Sequence, residues 1–382
     1  MKRRLLVAVP VLSAVVVLAW MFRPRHEYLG SAYVSDRSVT LWSSIAQVRE
    51  PIDTLHYGDR LDVIARHNDS VKVRTVTGRV GWVDSRMLLE PGLWQRSARL
   101  LASTQLLPVQ ARGRTKVQTN LRVEPGRGAP RLYQFGRGFP VEVVGRAVMD
   151  WVQVSDERES AGAPQETKKE DWFLVRAVTT RPLGEVSARS PEPTTTQPGD
   201  QSIPIAGWVV SRFIELDLPG PLREATSSAN LRPIAWFELN RVSSPAGDVP
   251  QYLVAGTRGP EGKPCDFTMV RVYTWNRTRA RYETAFIANN LCGQLPIRVD
   301  KNSSDEPEFR FPVMGQSNQE KSCRLIQTVV RCVREKDQAD GKFAHSTAPQ
   351  DRGKESLLGE SENDAAYQRG GSSHRSQHAH RY

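Results

Sequence analysis

Histidine is missing from most of this chain: none of the seven histidines lies between His67 and His345. A Ser-His-Asp or Cys-His hydrolase needs an imidazole base beside its nucleophile, and most zinc peptidases need histidine ligands. The long central segment therefore lacks the residues for these chemistries. His56 and His67 fall in a small β-rich module, where a surface position is the simpler interpretation.

Other catalytic and cofactor signatures are also lacking. The sequence has no Walker-type glycine loop, no dinucleotide fingerprint and no Cys-x-x-Cys pair. Asp300, Asp305, Glu306 and Glu308 cluster, but on a stretch of Ser, Asn and Pro that is typical of an exposed turn, so a glycosidase pair is not indicated. We expect a protein that is not an enzyme, with no catalytic residues, no cofactor and no metal site.

Long hydrophobic runs are scarce as well, which excludes a polytopic membrane protein. The one exception is residues 5–22, which contain no charged residue and follow Lys2, Arg3 and Arg4. As a helix this run is about 27 Å long, close to the hydrocarbon thickness of a bilayer. We predict a transmembrane signal anchor over residues 1–28 of a single-pass inner-membrane protein, with the bulk of the chain in the periplasm. The alternative is a signal peptide cleaved after Ala19, which predicts a secreted protein.

The segment after the anchor contains two copies of one strand pattern. Short pieces rich in Val and aromatic residues, bounded by Gly, Asp or Pro, predict antiparallel strands with one buried face. We place the copies at residues 29–92 and 115–218, with a linker at 93–114. The second copy carries two predicted inserted loops: residues 155–171 are charged, and residues 179–204 are rich in Pro, Thr, Ser and Gly.

The order of the motifs in these copies resembles the bacterial SH3-type (SH3b) domain. The matching motifs are Leu121–Arg122 on the opening strand (Leu41–Trp42 stands there in the first copy), Gly58 and Gly136 at the next turn, and Gly-Trp-Val at 81–83 and 207–209 on the closing strand. The resemblance implies two small SH3-like barrels. Such domains often bind cell-wall peptides or glycans, and some serve only as spacers.

Four aromatic residues are candidates for a ligand groove: Trp42 and Tyr57 in the first copy, and Tyr133 and Trp172 in the second. Aromatic faces on a small barrel can stack on sugar rings or peptide planes. The alternative interpretation is that these side chains fill small cores. The tryptophans of the two Gly-Trp-Val motifs are assigned to the core.

A third β-rich domain is predicted over residues 228–335, with a long hairpin whose strands are 267–275 and 282–287. Opposite residues of an antiparallel pair have a constant index sum, and pairing residue 275 with 282 gives 557. Cys265 and Cys292 give the same sum, so we predict a disulfide between them, with free thiols as the alternative in a reducing compartment.

Cys323 and Cys332 are nine positions apart, so on one straight strand they face opposite sides. They can pair only if the chain turns between them. The pairing state of these two cysteines is therefore left open.

The last segment, residues 336–382, has few aliphatic residues and is predicted to be a disordered tail. The overall prediction is thus a mainly β chain with an N-terminal transmembrane helix, two small SH3-like barrels, a third β-rich domain and this tail.

Two functional hypotheses follow from these features. The favoured one is a membrane-anchored binding protein whose modules hold a cell-wall peptide, a glycan or an envelope protein, and the net charge of +11 fits an anionic partner. The alternative is a structural subunit of an envelope complex, with the barrels as spacers and the third domain docking a partner protein. No nucleic acid is expected, because the export signal argues against it.

Overall fold

In the computed structural model of the protein, residues 28–152, 167–181, 201–245, 247–315 and 320–333 are described. These residues are mainly β, as predicted, and include two α-helices, α1 (Pro91–Gln105) and α2 (Gly220–Ser228). The predicted anchor up to residue 27 and the predicted tail lie outside the described residues. Within the described part, no helix is long and apolar enough to cross a bilayer.

The first sheet has seven antiparallel strands. They are β1 (Gly30–Val34), β2 (Ser38–Trp42), β3 (Pro51–His56), β4 (Arg60–His67), β5 (Ser70–Arg74), β6 (Val80–Asp84) and β7 (Leu88–Leu89). Their order in the sheet is β3-β2-β6-β5-β4-β1-β7. Alternate residues such as Leu61 and Val63 are buried, because successive side chains of a strand point to opposite faces.

The second sheet repeats this topology. Its strands are β8 (Ala111–Thr115), β9 (Thr119–Arg122), β10 (Arg131–Phe135), β11 (Pro140–Val152), β12 (Thr167–Arg181), β13 (Gln201–Val210) and β14 (Ile214–Leu216). They are ordered β10-β9-β13-β12-β11-β8-β14, which is the order of the first sheet advanced by seven strands. The predicted copies therefore fold with one and the same strand order.

Backbone hydrogen bonds at the turn after the third strand also repeat. The amide of Gly58 donates to Val34 O at 3.0 Å, and the amide of Gly138 donates to Thr115 O at 2.8 Å. Both glycines have positive φ, +85° and +78°, a conformation that costs glycine little. The motif alignment predicted Gly136 as the turn glycine of the second copy. The repeated hydrogen bond shows that the turn glycine is Gly138.

Two predicted boundaries differ from the structure. The predicted linker at 93–114 overlaps most of α1, which starts at Pro91, a favourable first helical residue, and packs against β13. The predicted loops of the second copy are too wide, because β12 and β13 pair from Trp172 with Val210 to Arg181 with Gln201. The parts of these loops at 155–166 and 182–200 lie outside the described residues.

The third domain contains two four-stranded sheets that share one core. The first is β15 (Arg232–Ser244), β16 (Gly247–Thr257), β17 (Met269–Asn276) and β18 (Arg281–Ala288), and the second is β19 (Arg298–Lys301), β20 (Pro307–Pro312), β21 (Glu320–Ile326) and β22 (Val329–Cys332). Leu253 and Val272 of the first sheet and Phe309 and Leu325 of the second lie in the same buried cluster.

Both cysteine pairs are disulfides: Cys265 with Cys292, as predicted, and Cys323 with Cys332. The second pair forms because the chain turns at Gln327, so that β21 and β22 place Cys323 opposite Cys332. The predicted register of the first hairpin holds only near its tip. Trp275 lies opposite Tyr282, but a bulge moves the index sum to 558 where Val272 pairs with Phe286.

Candidate functional site

Two of the predicted groove residues, Tyr57 and Tyr133, lie together inside the protein. They are 4% and 2% exposed, and their ring centroids are 5.3 Å apart in an edge-on contact. The indole of Trp94 on α1 lies 5.6 Å from the Tyr57 ring. Burial raises the pKa of the Tyr57 phenol to about 12. These tyrosines join the first sheet, α1 and the second sheet, so they offer no face to a ligand.

Trp172, the third predicted groove residue, is also buried. Its side chain is 1% exposed, on β12 between β11 and β13. A side chain enclosed on both sides of a central strand packs in the core, which was the alternative interpretation of this residue. Groove binding by Trp172 is therefore replaced by a packing role.

Trp42, the fourth candidate, is half-buried and lies opposite Trp82 on the neighbouring strands β2 and β6. Opposite residues of an antiparallel pair share a face, so the two indoles lie side by side on the outer face of the first sheet. Trp82 was predicted to be in the core, and this prediction is wrong. The core position of the motif belongs to Gly81, where a Cβ would lie 2.7 Å from Leu41 Cγ.

The reason for this orientation is the alternation of a strand. Gly81 and Val83 face the core, so Trp82 between them points outward. The second Gly-Trp-Val motif repeats the arrangement: a Cβ on Gly207 would lie 2.6 Å from Leu121 Cγ, and Trp208 is half-buried on the other side. The glycine lets the opening strand approach closely, and the tryptophan is left for the outer face.

Two cations accompany the outer indoles of the first sheet. The Arg49 guanidinium carbon lies 4.3 Å from the Trp42 ring centroid, and Lys72 Nζ lies 5.9 Å from that of Trp82. Both distances are within the range of cation–π attraction. We refer to Trp42, Trp82, Arg49 and Lys72 as the tryptophan face.

The loop that carries Arg49 adds exposed apolar surface next to this face. Ile45 is 45% exposed and Val48 is 92% exposed. Together with the two indoles, these side chains add apolar surface that a ligand can cover. No site residue was predicted in this loop, although it follows Trp42 directly in the chain.

The second sheet does not reproduce the tryptophan face. Arg122 and Leu174 lie opposite Trp208, at the positions that Trp42 and Lys72 occupy in the first sheet. Leu174 is 8% exposed, and α1 packs against β13, the strand of Trp208. The Arg122 guanidinium donates to the carbonyl of Ala129, and burial lowers its pKa. The candidate site is therefore a feature of the first copy.

The tryptophan face has side chains that are suited to binding. Indole faces stack on the apolar faces of sugar rings and on peptide planes, and neighbouring cations attract carboxylates. The four side chains of the face include no carboxylate, imidazole, hydroxyl or thiol group.

Comparisons with known proteins found little similarity. No family model and no curated protein matches the chain. Among solved structures, NlpC2 from Trichomonas vaginalis aligns at 9% identity and a TM-score of 0.15, over 53% of this chain and 56% of that one. NlpC1 from Trichomonas vaginalis aligns at 9% identity and the same TM-score of 0.15, over 74% of this chain and 90% of that one. A likeness this weak carries no argument about fold or activity.

Proposed function

We propose that this chain is a non-enzymatic, membrane-anchored binding protein outside the cytoplasm, and that its first SH3-like module holds a cell-wall peptide or glycan. The observation that carries the proposal is the tryptophan face: two partly buried tryptophans on opposite positions of neighbouring strands, each with a cation over its ring. The apolar face of a sugar ring or the plane of an extended peptide can pack against such indoles.

The compartment is supported by two independent features, and the net charge bears on the partner. Residues 5–22 have the composition of a transmembrane anchor, which supports a location of the rest of the chain outside the cytoplasm. Two disulfides, Cys265–Cys292 and Cys323–Cys332, fit an oxidising compartment. The net charge of +11 favours an anionic wall over a neutral partner.

The difference between the two copies supports a different role for each. The shared strand order agrees with two SH3-like modules, but among the residues that the structure describes only the first sheet carries two tryptophans at opposite positions on its outer face. In the second copy the corresponding strand is covered by α1, and its side chains take part in packing. We infer that the second module holds the first at a fixed orientation to the third domain, while the first makes the contact with the ligand.

Co-sedimentation of the full chain with purified cell wall, in a non-ionic detergent, tests this function. The double variant Trp42→Ala/Trp82→Ala is expected to weaken retention about 10-fold or more, because it removes the central anchors of the contact. The matched control is Trp208→Ala, which removes the tryptophan of the same motif from the second copy. Equal retention of all three proteins would refute the proposal.

Trp172→Ala is unsuitable for this test. The residue is buried, so its truncation leaves a cavity that costs about 3–5 kcal/mol. Loss of retention in that variant would report unfolding and not a lost contact.

A second candidate function, docking of a partner protein by the third domain, is favoured by a cleft of about 530 Å³ between the β17–β18 tip and the β21–β22 turn. Trp275, Arg277 and Gln327 line it. This function predicts no retention on wall but one defined co-purifying envelope protein, whose binding is lost in Trp275→Ala and kept in the Trp42→Ala/Trp82→Ala variant.

A further inference from the structure

A second concave site lies at the junction of the second sheet, α2 and the first strand of the third domain. It is a cavity of about 390 Å³, within the range of small-molecule sites. Its floor is apolar: Phe173 and Ile214 are each 4% exposed, and Ile234 is 2% exposed. Its rim carries four cations, Lys116, Arg212, Arg223 and Arg232, and two acids, Glu215 and Glu261.

Two of the rim cations are held in place from behind by buried carboxylates. Arg212 Nη2 lies 2.7 Å from Glu170 Oε1, and the Glu170 side chain is 2% exposed. Arg232 Nη2 lies 3.0 Å from Asp171 Oδ2, and the Asp171 side chain is fully buried. Buried partners fix the positions of these guanidinium groups, so little side-chain entropy remains to be lost when a ligand binds.

The other two rim cations are available to a ligand. Lys116 is exposed, and its ammonium has no carboxylate partner among the residues that the structure describes. Arg223 lies 3.9 Å from Glu215, and both side chains are more than half exposed, at 62% and 61%. An ion pair this long and exposed contributes little, so a ligand anion can replace it.

The equivalent position in the first copy, where its first strand meets the turn after its sixth strand, has no such cationic rim among the described residues 28–152. Ser35 donates its amide to Met87 O as Lys116 donates to Phe213 O, so Ser35 stands where the rim lysine is. At that joint Arg131 crosses from the second sheet, pairs with Asp36 at 3.1 Å and donates to Arg86 O at 2.6 Å. The cationic rim, with its two available charges, thus occurs in the second copy and is not a shared feature of the two copies.

We propose that this cavity binds a small amphipathic anion, with an aryl or acyl body on the floor of Phe173, Ile214 and Ile234 and a carboxylate or phosphate head between Lys116 and Arg223. An apolar floor that ends at available cations matches a molecule that is apolar at one end and anionic at the other. The site lies beside the second copy, whereas the tryptophan face lies on the first, so this proposal does not depend on the binding of cell wall.

Calorimetric titration of the full chain in a non-ionic detergent tests the proposal with three probes: phenyl phosphate, 4-phenylbutyrate and inorganic phosphate. The two aryl probes are expected to bind at least about 10-fold more tightly than inorganic phosphate, because only they reach the apolar floor. The double variant Lys116→Ala/Arg223→Ala is expected to weaken both aryl probes by about 10-fold or more.

The matched control is Arg60→Ala/Arg86→Ala, which removes the same charge from the first copy and is expected to leave both affinities unchanged. Thermal unfolding of both variants checks that they are folded. The proposal is overturned if the aryl probes do not bind, if inorganic phosphate binds as tightly as they do, or if the two double variants lose affinity equally. Tighter binding of phenyl phosphate than of 4-phenylbutyrate, or the reverse, identifies the head group and supports the proposal either way.

Discussion

Asp171 holds together a buried charge cluster between the second sheet and the third domain. Its Oδ1 accepts from Arg146 at 2.6 Å and from the Gly262 amide at 2.9 Å, and its Oδ2 accepts from Arg232 at 3.0 Å. Arg146 also lies 3.2 Å from Asp266, a carboxyl whose pKa is raised by burial. The change Asp171→Ala removes three hydrogen bonds to one carboxylate.

The cost of this change follows from burial. The side chains of Arg146 and Asp171 are both fully buried, so the variant leaves a guanidinium inside the protein with a weaker set of partners. Breaking a buried ion pair from one side costs about 3–5 kcal/mol. We expect the Asp171→Ala variant to lose this much of the free energy of unfolding.

Asp300→Ala is the matched control, because Asp300 pairs with Arg310 at 2.9 Å but the two side chains are 59% and 39% exposed. An exposed pair contributes about 0–1 kcal/mol. Urea unfolding followed by far-UV circular dichroism gives both values. A loss below about 1 kcal/mol for Asp171→Ala, or equal losses in the two variants, would refute the reasoning.

Three further predictions concern backbone approach, pH and a disulfide. Gly207→Ala is expected to lower the free energy of unfolding in urea by about 1–3 kcal/mol, since its Cβ would lie 2.6 Å from a core leucine. The control Gly136→Ala places its Cβ in open space and is expected to cost less than about 1 kcal/mol. Equal losses in the two variants would contradict the close approach. Burial lowers the pKa of His56 below 6.5, so unfolding takes up a proton and the free energy of unfolding falls as the pH drops from 6.5 toward the folded pKa. The variant His56→Gln is expected to reduce this pH dependence of the urea midpoint. An unchanged pH dependence would show that other groups cause it. Replacing Cys323 and Cys332 by alanine is expected to cost about 2–3 kcal/mol more under oxidising conditions than under full reduction of both proteins, and an equal loss in both conditions would point to packing instead.

The internal repeat was predictable, because its signal is local. Strand pieces such as Arg60 to Val63 alternate polar and apolar residues, and the same order of pieces occurs twice. Pairing partners close in sequence were also predictable: Trp275 lies opposite Tyr282 across a short turn. Farther from that turn the register drifted, because the bulge after Val272 cannot be read from side-chain alternation.

The candidate site was only partly predictable. Trp42 was identified, but its partner Trp82 was assigned to the core, because a tryptophan side chain is highly buried on average. The close approach of two strands at Gly81 reverses that expectation, and it appears only when the strands are paired. Tyr57 and Tyr133 were misassigned for a different reason: their burial depends on how α1 and two sheets pack, a long-range property that strand patterns do not contain.

Hydroxyl-radical footprinting of the full chain, with and without soluble wall fragments, tests the binding function most directly. The account predicts that oxidation of Trp42 and Trp82 falls together when the fragments are added, while Trp275 in the third domain is oxidised at the same rate. Unchanged oxidation of Trp42 and Trp82, or protection of Trp275 alone, would contradict it.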